Sequence, residues 1–187
     1  MTQLLPSQQA LRDRILRIVD DPGSFRSRTF LLVGEAGTGK TFLAKALATG
    51  DGFDYWNLAD ISWSPELLDP AKSHDFVRKL IRERAARANL LLDGITPLYL
   101  MHKFDWCRRF ITALSELAPL HFAFVILTIG DVSGSPHPLR DSVEKWFADD
   151  DRLLSINLTY EDLKEYCARS GKVLLSGVNL HEIQLTS

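Results

Sequence analysis

The sequence predicts an α/β fold in three layers, a five-stranded, mainly parallel sheet between helices. Three observations carry this expectation. Five short apolar runs, near residues 29, 53, 89, 121 and 153, are separated by segments of helical periodicity. The run ending at Asp93 and the run from Phe122 to Ile129 are apolar enough for strands covered on both faces. Between the first run and the first long helix after it stands a glycine-rich loop, in the segment Phe30 to Phe42, FLLVGEAGTGKTF.

That loop is the most informative part of the chain. Gly34-Glu35-Ala36-Gly37-Thr38-Gly39-Lys40-Thr41 fits G-x-x-x-x-G-K-[ST] at every specified position. Glycines let the backbone turn tightly and aim successive N–H groups into a concave anion nest. The helix that begins near Gly39 directs its positive end at the same place. Lys40 is expected to set an ammonium on the β- and γ-phosphates, and Thr41 a hydroxyl on Mg²⁺. Residues Gly34 to Phe42 are therefore the candidate nucleotide-binding residues, with ATP and Mg²⁺ as the expected ligands. The plainer alternative is a glycine-rich turn that happens to precede a helix. The β-branched and apolar run Thr29 to Val33 before it, and Leu43, Ala44, Ala46, Leu47 and Ala48 after it, argue against that alternative.

The 187 residues suit one domain with a substantial core. The expected division is a helix and lead-in over 1–27, a nucleotide-binding core over 28–168 and a tail over 169–187. A net charge of −2 excludes a whole-molecule field that would draw the chain to DNA or acidic membranes. Cys107 and Cys167 form no metal-binding pair and no disulfide framework, which fits a reducing cytoplasm. The first residues do not read as a secretory signal, and the longest apolar run is too short to span a bilayer.

Taken in order, Ser7 is expected to cap a first helix running to about Asp20, with Leu11, Ile15, Ile18 and Val19 inward and Arg12, Arg14 and Arg17 on a solvated face. Phe25 lies in the lead-in. Phe53 to Leu58 alternates as a second strand, and Asp60 follows just beyond it. Ser64-Pro65-Glu66 reads as a helix start that Pro70 interrupts. A helix over His74 to Ala88 carries Arg78, Lys79, Arg82, Arg84 and Arg87. It is either a solvated face or a contact surface for nucleic acid or an acidic partner. Thr96 to Leu100 is expected as a loop, and Phe104 to Ala118 as an amphipathic helix. His121 to Thr128 is a fourth strand. Thr128 at its end either hydrogen-bonds a γ-phosphate or its water, or is an ordinary strand-end threonine. A long loop over Gly130 to Pro138 contains His137, and a short helix from Leu139 to Phe147 carries Arg140. Asp149-Asp150-Asp151 lacks the spacing of a calcium loop and reads as a solvated turn. Arg152 precedes a fifth strand, Leu153 to Leu158. Thr159 caps a last helix that Ser170-Gly171 closes, and the tail reads as a hairpin or an added edge strand.

Asn89-Leu90-Leu91-Leu92-Asp93 is the second motif. An apolar run ending in Asp, after a phosphate-loop strand–helix unit, places a carboxylate at a strand's C-terminal end in the Mg²⁺ shell beside Thr41. The alternative is that Asp93 only caps the following turn. Chains of this pattern often follow that Asp with Glu, which activates the attacking water. Here Gly94 follows, so hydrolysis is expected to be weak, or another carboxylate serves, with Asp60 and Glu35 as candidates.

With GEAGTGKT at Gly34–Thr41, LLLD ending at Asp93 and Thr128 at a sensor-1-like place, the chain resembles P-loop NTPases of the additional-strand group, and AAA+-like cores in particular. The resemblance covers about Arg28 to Ala168. It implies the P-loop NTPase three-layer sandwich with strand order 5-1-4-3-2. It also implies catalytic roles for Lys40, Asp93 and Thr128, and Mg²⁺ held by Thr41 and Asp93. Arg140 and Arg152 resemble arginine fingers that act across a subunit interface. AAA+ proteins usually append a helical lid, and this chain has no room for one after the fifth strand. Asn57-Leu58 with Ser64 to Leu68, and LLLDGITPLY at Leu90–Tyr99, are also similar to the BrxF family of small P-loop proteins from BREX phage-defence operons.

The function these resemblances imply is a cytoplasmic AAA+-like ATPase that drives assembly or remodelling of a partner complex. The setting would be DNA-associated, of the phage-defence or replication-initiation type. Self-association or a larger protein partner is expected, with DNA reached through that partner or through the Arg78–Arg87 helix, and no membrane contact. Two other readings stay open: a nucleotide-sensing switch with little hydrolysis, and a small-molecule or nucleotide kinase.

Overall fold

The computed structural model describes residues 3–21, 28–35, 37–60, 69–85, 89–96, 104–120, 124–130 and 153–171. The apolar runs form strands β1 (Thr29–Gly34), β2 (Phe53–Asn57), β3 (Asn89–Asp93), β4 (Val125–Gly130) and β5 (Leu153–Ser155). They pair in the order β2-β3-β4-β1-β5, and every pairing is parallel. Counted from the other edge this is 5-1-4-3-2, the order implied by the resemblance. The central strands are continuous in apolar residues because helices cover both of their faces.

Successive residues of each strand feed opposite layers. Leu31 and Val33 of β1, Leu90 and Leu92 of β3, and Val125, Leu127 and Ile129 of β4 join one core. Helices α3 (Ser73–Leu80) and α4 (Phe104–Leu120) cover it with Val77, Leu80, Trp106, Phe110 and Leu114. Phe30, Leu32, Leu91 and Ile126 join the other core, covered by α1 (Pro6–Asp20) and α2 (Lys40–Gly50) through Leu11, Ile15, Leu43 and Leu47. Leu43 and Leu47 are fully buried, and each contributes about 2 kcal/mol by leaving water. That burial holds the start of α2 at the C-terminal end of β1.

Several boundaries differ from expectation for local reasons. Helix α1 starts at Pro6, not at Ser7, with Leu5 as its N-cap residue. Proline suits the first helical position because its missing N–H has no intrahelical partner to lose. Arg12 is no solvated side chain. Its guanidinium takes both oxygens of Asp51, at 2.7 and 2.6 Å, and ties α1 to the end of α2. The strand expected over His121 to Thr128 runs Val125–Gly130. Pairing with β1 carries it on to Gly130 beside Gly34, so Thr128 lies inside the strand rather than at its end. The fifth strand is three residues long, an edge strand whose pairing with β1 stops near Ile156. The helix from His74 splits into α3 and a π-helical turn, Ile81–Ala85. Thr96, the first residue of the expected loop, is helical together with Ile95, and residues 97–100 lie outside the described residues. The last helix, α5 (Tyr160–Ser170), has its expected Thr159 cap, and Gly171 closes it with φ of 69°.

Candidate functional site

The site begins where β1 ends. Gly34 is enclosed: a Cβ there would lie 2.7 Å from both the Ile156 carbonyl and its Cγ2, and 2.9 Å from Thr38 Oγ1. Gly37 and Gly39 have φ of 80° and 83°, the left-handed region that other residues enter at a cost. Thr38 is buried, and its N–H and hydroxyl both donate to the Glu35 carbonyl, at 3.3 and 2.9 Å, closing the loop. Lys40 Nζ reaches back inside it, 2.8 Å from the Gly34 carbonyl, 2.6 Å from that of Glu35 and 3.5 Å from Thr38 Oγ1. The first helical bond of α2, Leu43 N–H to the Gly39 carbonyl, follows at 2.9 Å. Thr41 is exposed on the first turn. Ala36 lies outside the described residues.

The second part of the site comes from β3 and β4. Asp93 is 4% exposed. One carboxylate oxygen accepts the hydroxyl of Thr128, and the other accepts the hydroxyl of Tyr55 at 2.9 Å. Thr128 Oγ1 in turn accepts the N–H of Gly94 at 2.8 Å. Thr128 therefore directs its one proton at Asp93, a contact that neither reading of Thr128 from the sequence included. These two hydroxyls come from the strands on either side of β3, Thr128 from β4 and Tyr55 from β2. Burial pushes the Tyr55 hydroxyl well above its ordinary pKa, and the hydrogen bond and charge of Asp93 and the charge of Asp60 add to this. Asp60 is exposed just past β2, within electrostatic reach of this cluster. Glu35, the other candidate carboxylate, is exposed at the mouth of the loop.

Gly94 has φ of 83°, and a Cβ on it would stand 3.5 Å from Asn57 Oδ1. Space is available there, but the backbone conformation disfavours any L side chain. A glutamate here would have to take the left-handed conformation that Gly94 takes immediately after Asp93.

Two residues of the site were not legible in the sequence. Tyr55 reads only as part of a strand, and its role needs β2 beside β3. Gln8 of α1 is 2% exposed, and its Nε2 donates to the Thr38 carbonyl of the loop at 3.1 Å. A glutamine three residues after a helix cap can return a bond to the cap N–H, as Gln8 does to Leu5, but nothing local signals its second bond. Arg140, Arg152, His137 and Phe25 lie outside the described residues, as do the acidic turn 149–151 and the segments 61–68 and 172–187.

Oxygen donors such as Thr41 and Asp93 suit a hard cation. Among the described residues no group of three His, Cys, Asp or Glu side chains could hold a metal alone. On the other helical layer, α3 and α4 border a groove of about 380 Å³ that carries His74, Arg108, Arg109 and Glu116. Arg78 of the basic stretch lies 3.6 Å from Asp75, so part of its charge is offset locally. No described helix is long and apolar enough to cross a membrane.

A parallel sheet of order 5-1-4-3-2, with a glycine loop after its first strand and an acidic end to its third, has the fold of AAA+ P-loop ATPases. Comparison with one solved structure agrees. AMPPCP-bound DnaA from Aquifex aeolicus superposes with a TM-score of 0.52 at 18% identity, covering 94% of this chain and 56% of that one. PCH-2 from C. elegans gives 0.47 at 15% identity, covering 92% and 50%. The chain thus spans about half the length of these two proteins. No protein-family model and no curated protein matches the sequence.

Proposed function

We propose that the chain binds ATP with Mg²⁺ at the Gly34–Phe42 loop and hydrolyses it slowly, using the bound and released states to assemble or remodel a partner complex. The observation that carries this reading is the arrangement of the loop and of Asp93. Lys40 folds its ammonium into a loop shaped by two left-handed glycines, and Asp93 is held at the end of a strand one removed from β1. Lys40 and the amides of residues 37–41 would bind the phosphates. Thr41 and Asp93 would hold Mg²⁺, which when bound would draw charge from the transferring phosphoryl group. Thr128 and Tyr55 would keep the Asp93 carboxylate in place. Asp60, near Tyr55, and Glu35, at the mouth of the loop, are the two candidate carboxylates for orienting water. Arg140 and Arg152 would complete the site across a subunit interface, and exposed Lys79 and Arg82 would meet a nucleic acid or acidic partner.

The test is triphosphate binding and phosphate release by the purified chain and two variants. Lys40→Ala is expected to lose ATP binding. Asp93→Ala is expected to bind ATP but lose Mg²⁺-dependent turnover. Full ATP affinity in Lys40→Ala would overturn the assignment.

The left-handed Gly94 favours a second reading, a nucleotide-sensing switch whose output is assembly rather than turnover. Light scattering with and without ATP, beside a phosphate-release assay, separates the two. ATP-dependent association without turnover would establish the switch.

A further inference from the structure

We infer that Gln8 is a positioning residue for the phosphate cradle, and that α1 acts as a clasp holding the loop in its binding shape; this rests on the phosphate-site reading above. The argument starts from the peptide between Thr38 and Gly39. A trans peptide points its C=O and its N–H in opposite directions. Gln8 Nε2 holds the Thr38 carbonyl from the α1 side, which sets the Gly39 N–H toward the opposite side of the same plane. The fit is close: a Cβ on Gly39 would lie 2.2 Å from Gln8 Nε2, so this side of the loop is filled by the glutamine amide. Orienting a donor before the anion arrives is the kind of preorganisation that strengthens binding.

The glutamine is itself held. Its Oε1 accepts the Leu5 N–H at 3.0 Å, so both ends of the amide are used and its flip state is determined by the two partners. The start of α1 is in turn fixed to α5. Asp162, fully buried, accepts the Ser7 N–H at 2.8 Å and the Thr159 N–H and hydroxyl, both at 2.7 Å. Arg169 adds bonds to the Gln3 and Leu4 carbonyls at 2.6 and 3.2 Å. A continuous set of bonds thus runs from α5 through the first turn of α1 to the Thr38–Gly39 peptide of the loop.

The test measures inorganic tripolyphosphate binding by competition with a fluorescent ATP analogue, beside the thermal midpoint of each variant. Gln8→Leu removes both bonds. Gln8→Glu keeps the acceptor for the Leu5 N–H but turns an oxygen toward the Thr38 carbonyl. Both are expected to weaken tripolyphosphate binding by about tenfold or more, the scale of one lost hydrogen bond with its partner left unmet. Arg12→Ala loosens α1 from Asp51 without touching the loop and is expected to stay within about twofold of the parent, as this half-buried ion pair lies at the end of α2 away from the cradle. Lys40→Ala is the control for the site. If Lys40→Ala loses binding while both Gln8 variants bind like the parent, the clasp is wrong and the site stands. If Gln8→Glu alone is weakened, the effect is charge and the clasp is wrong. If Lys40→Ala binds like the parent, the site reading fails and the clasp with it. Should Gln8→Leu not fold, Gln8→Glu at high salt decides: a persistent loss supports the clasp, and recovery overturns it.

Discussion

Thr128 gives its hydroxyl proton to Asp93 and takes the N–H of Gly94 on the same oxygen. One small side chain thereby fixes both the carboxylate expected to face the metal and the turn that follows it. Thr128→Val keeps the shape and removes both bonds. A half-buried donor and a buried carboxylate oxygen each lose a partner, so stability is expected to fall by about 2 kcal/mol. Mg²⁺-dependent turnover is expected to fall by about 10- to 100-fold, as when a ligand's orienting partner is lost. Urea unfolding and phosphate release measure the two effects; an unmoved urea midpoint would show that the bond contributes nothing.

Tyr55 supplies a pH dependence whose sign is definite. Its hydroxyl is pushed up by burial first and by Asp93 second, so the folded chain keeps the proton where an unfolded chain loses it. Above about pH 10 the unfolded state binds fewer protons, and stability falls as pH rises. Tyr55→Phe lacks this contribution. The stability difference between parent and Tyr55→Phe is expected to be constant from pH 7 to 9 and to shrink above about pH 10. Denaturant midpoints across that range check it.

Gly94→Glu is expected not to create a working base. The left-handed backbone at this position costs about 1–2 kcal/mol for any L side chain. The variant should unfold earlier and release phosphate no faster than the parent. Faster turnover in Gly94→Glu would show that the turn relaxes and that only the missing carboxylate limits the chemistry.

Asp162 predicts acid sensitivity. Burial pushes its carboxyl up, but the N–H groups of Ser7 and Thr159 and the Thr159 hydroxyl outweigh this, and it settles below its ordinary value. A carboxylate lowered in the folded state stabilises above the unfolded pKa and loses that effect as pH falls through the folded value. Asp162→Asn is therefore expected to be less stable than the parent at pH 7, with the gap closing below about pH 4. Thermal unfolding at pH 7, 5 and 3 would show whether the two chains converge.

The phosphate loop was readable because its demands are local. Glycines at 34, 37 and 39 answer to a tight turn and to positive φ within eight residues, and the lysine and threonine follow on the same segment. The same holds for the Thr159 cap and the Gly171 stop of α5, where each bond joins near neighbours. Asp93 was readable for a different reason: a strand buried on both faces is apolar until it leaves the sheet, so the first carboxylate marks its end. The limits of β4 were less legible, since its end is set by pairing with β1 rather than by its own residues.

Contacts that cross the chain left no such mark. Tyr55 meets Asp93 across 38 positions, Gln8 meets Thr38 across 30, and Ser7 meets Asp162 across 155. A tyrosine in a strand or a glutamine in a helix looks the same whether its polar tip faces water or a neighbour. Only the order of the strands and the packing of α1 on α2 and α5 decide which. Local backbone geometry wrote the cradle into consecutive residues; the groups that hold it in shape were chosen by folding, because hydrogen-bond partners are assigned by distance in space and not along the chain.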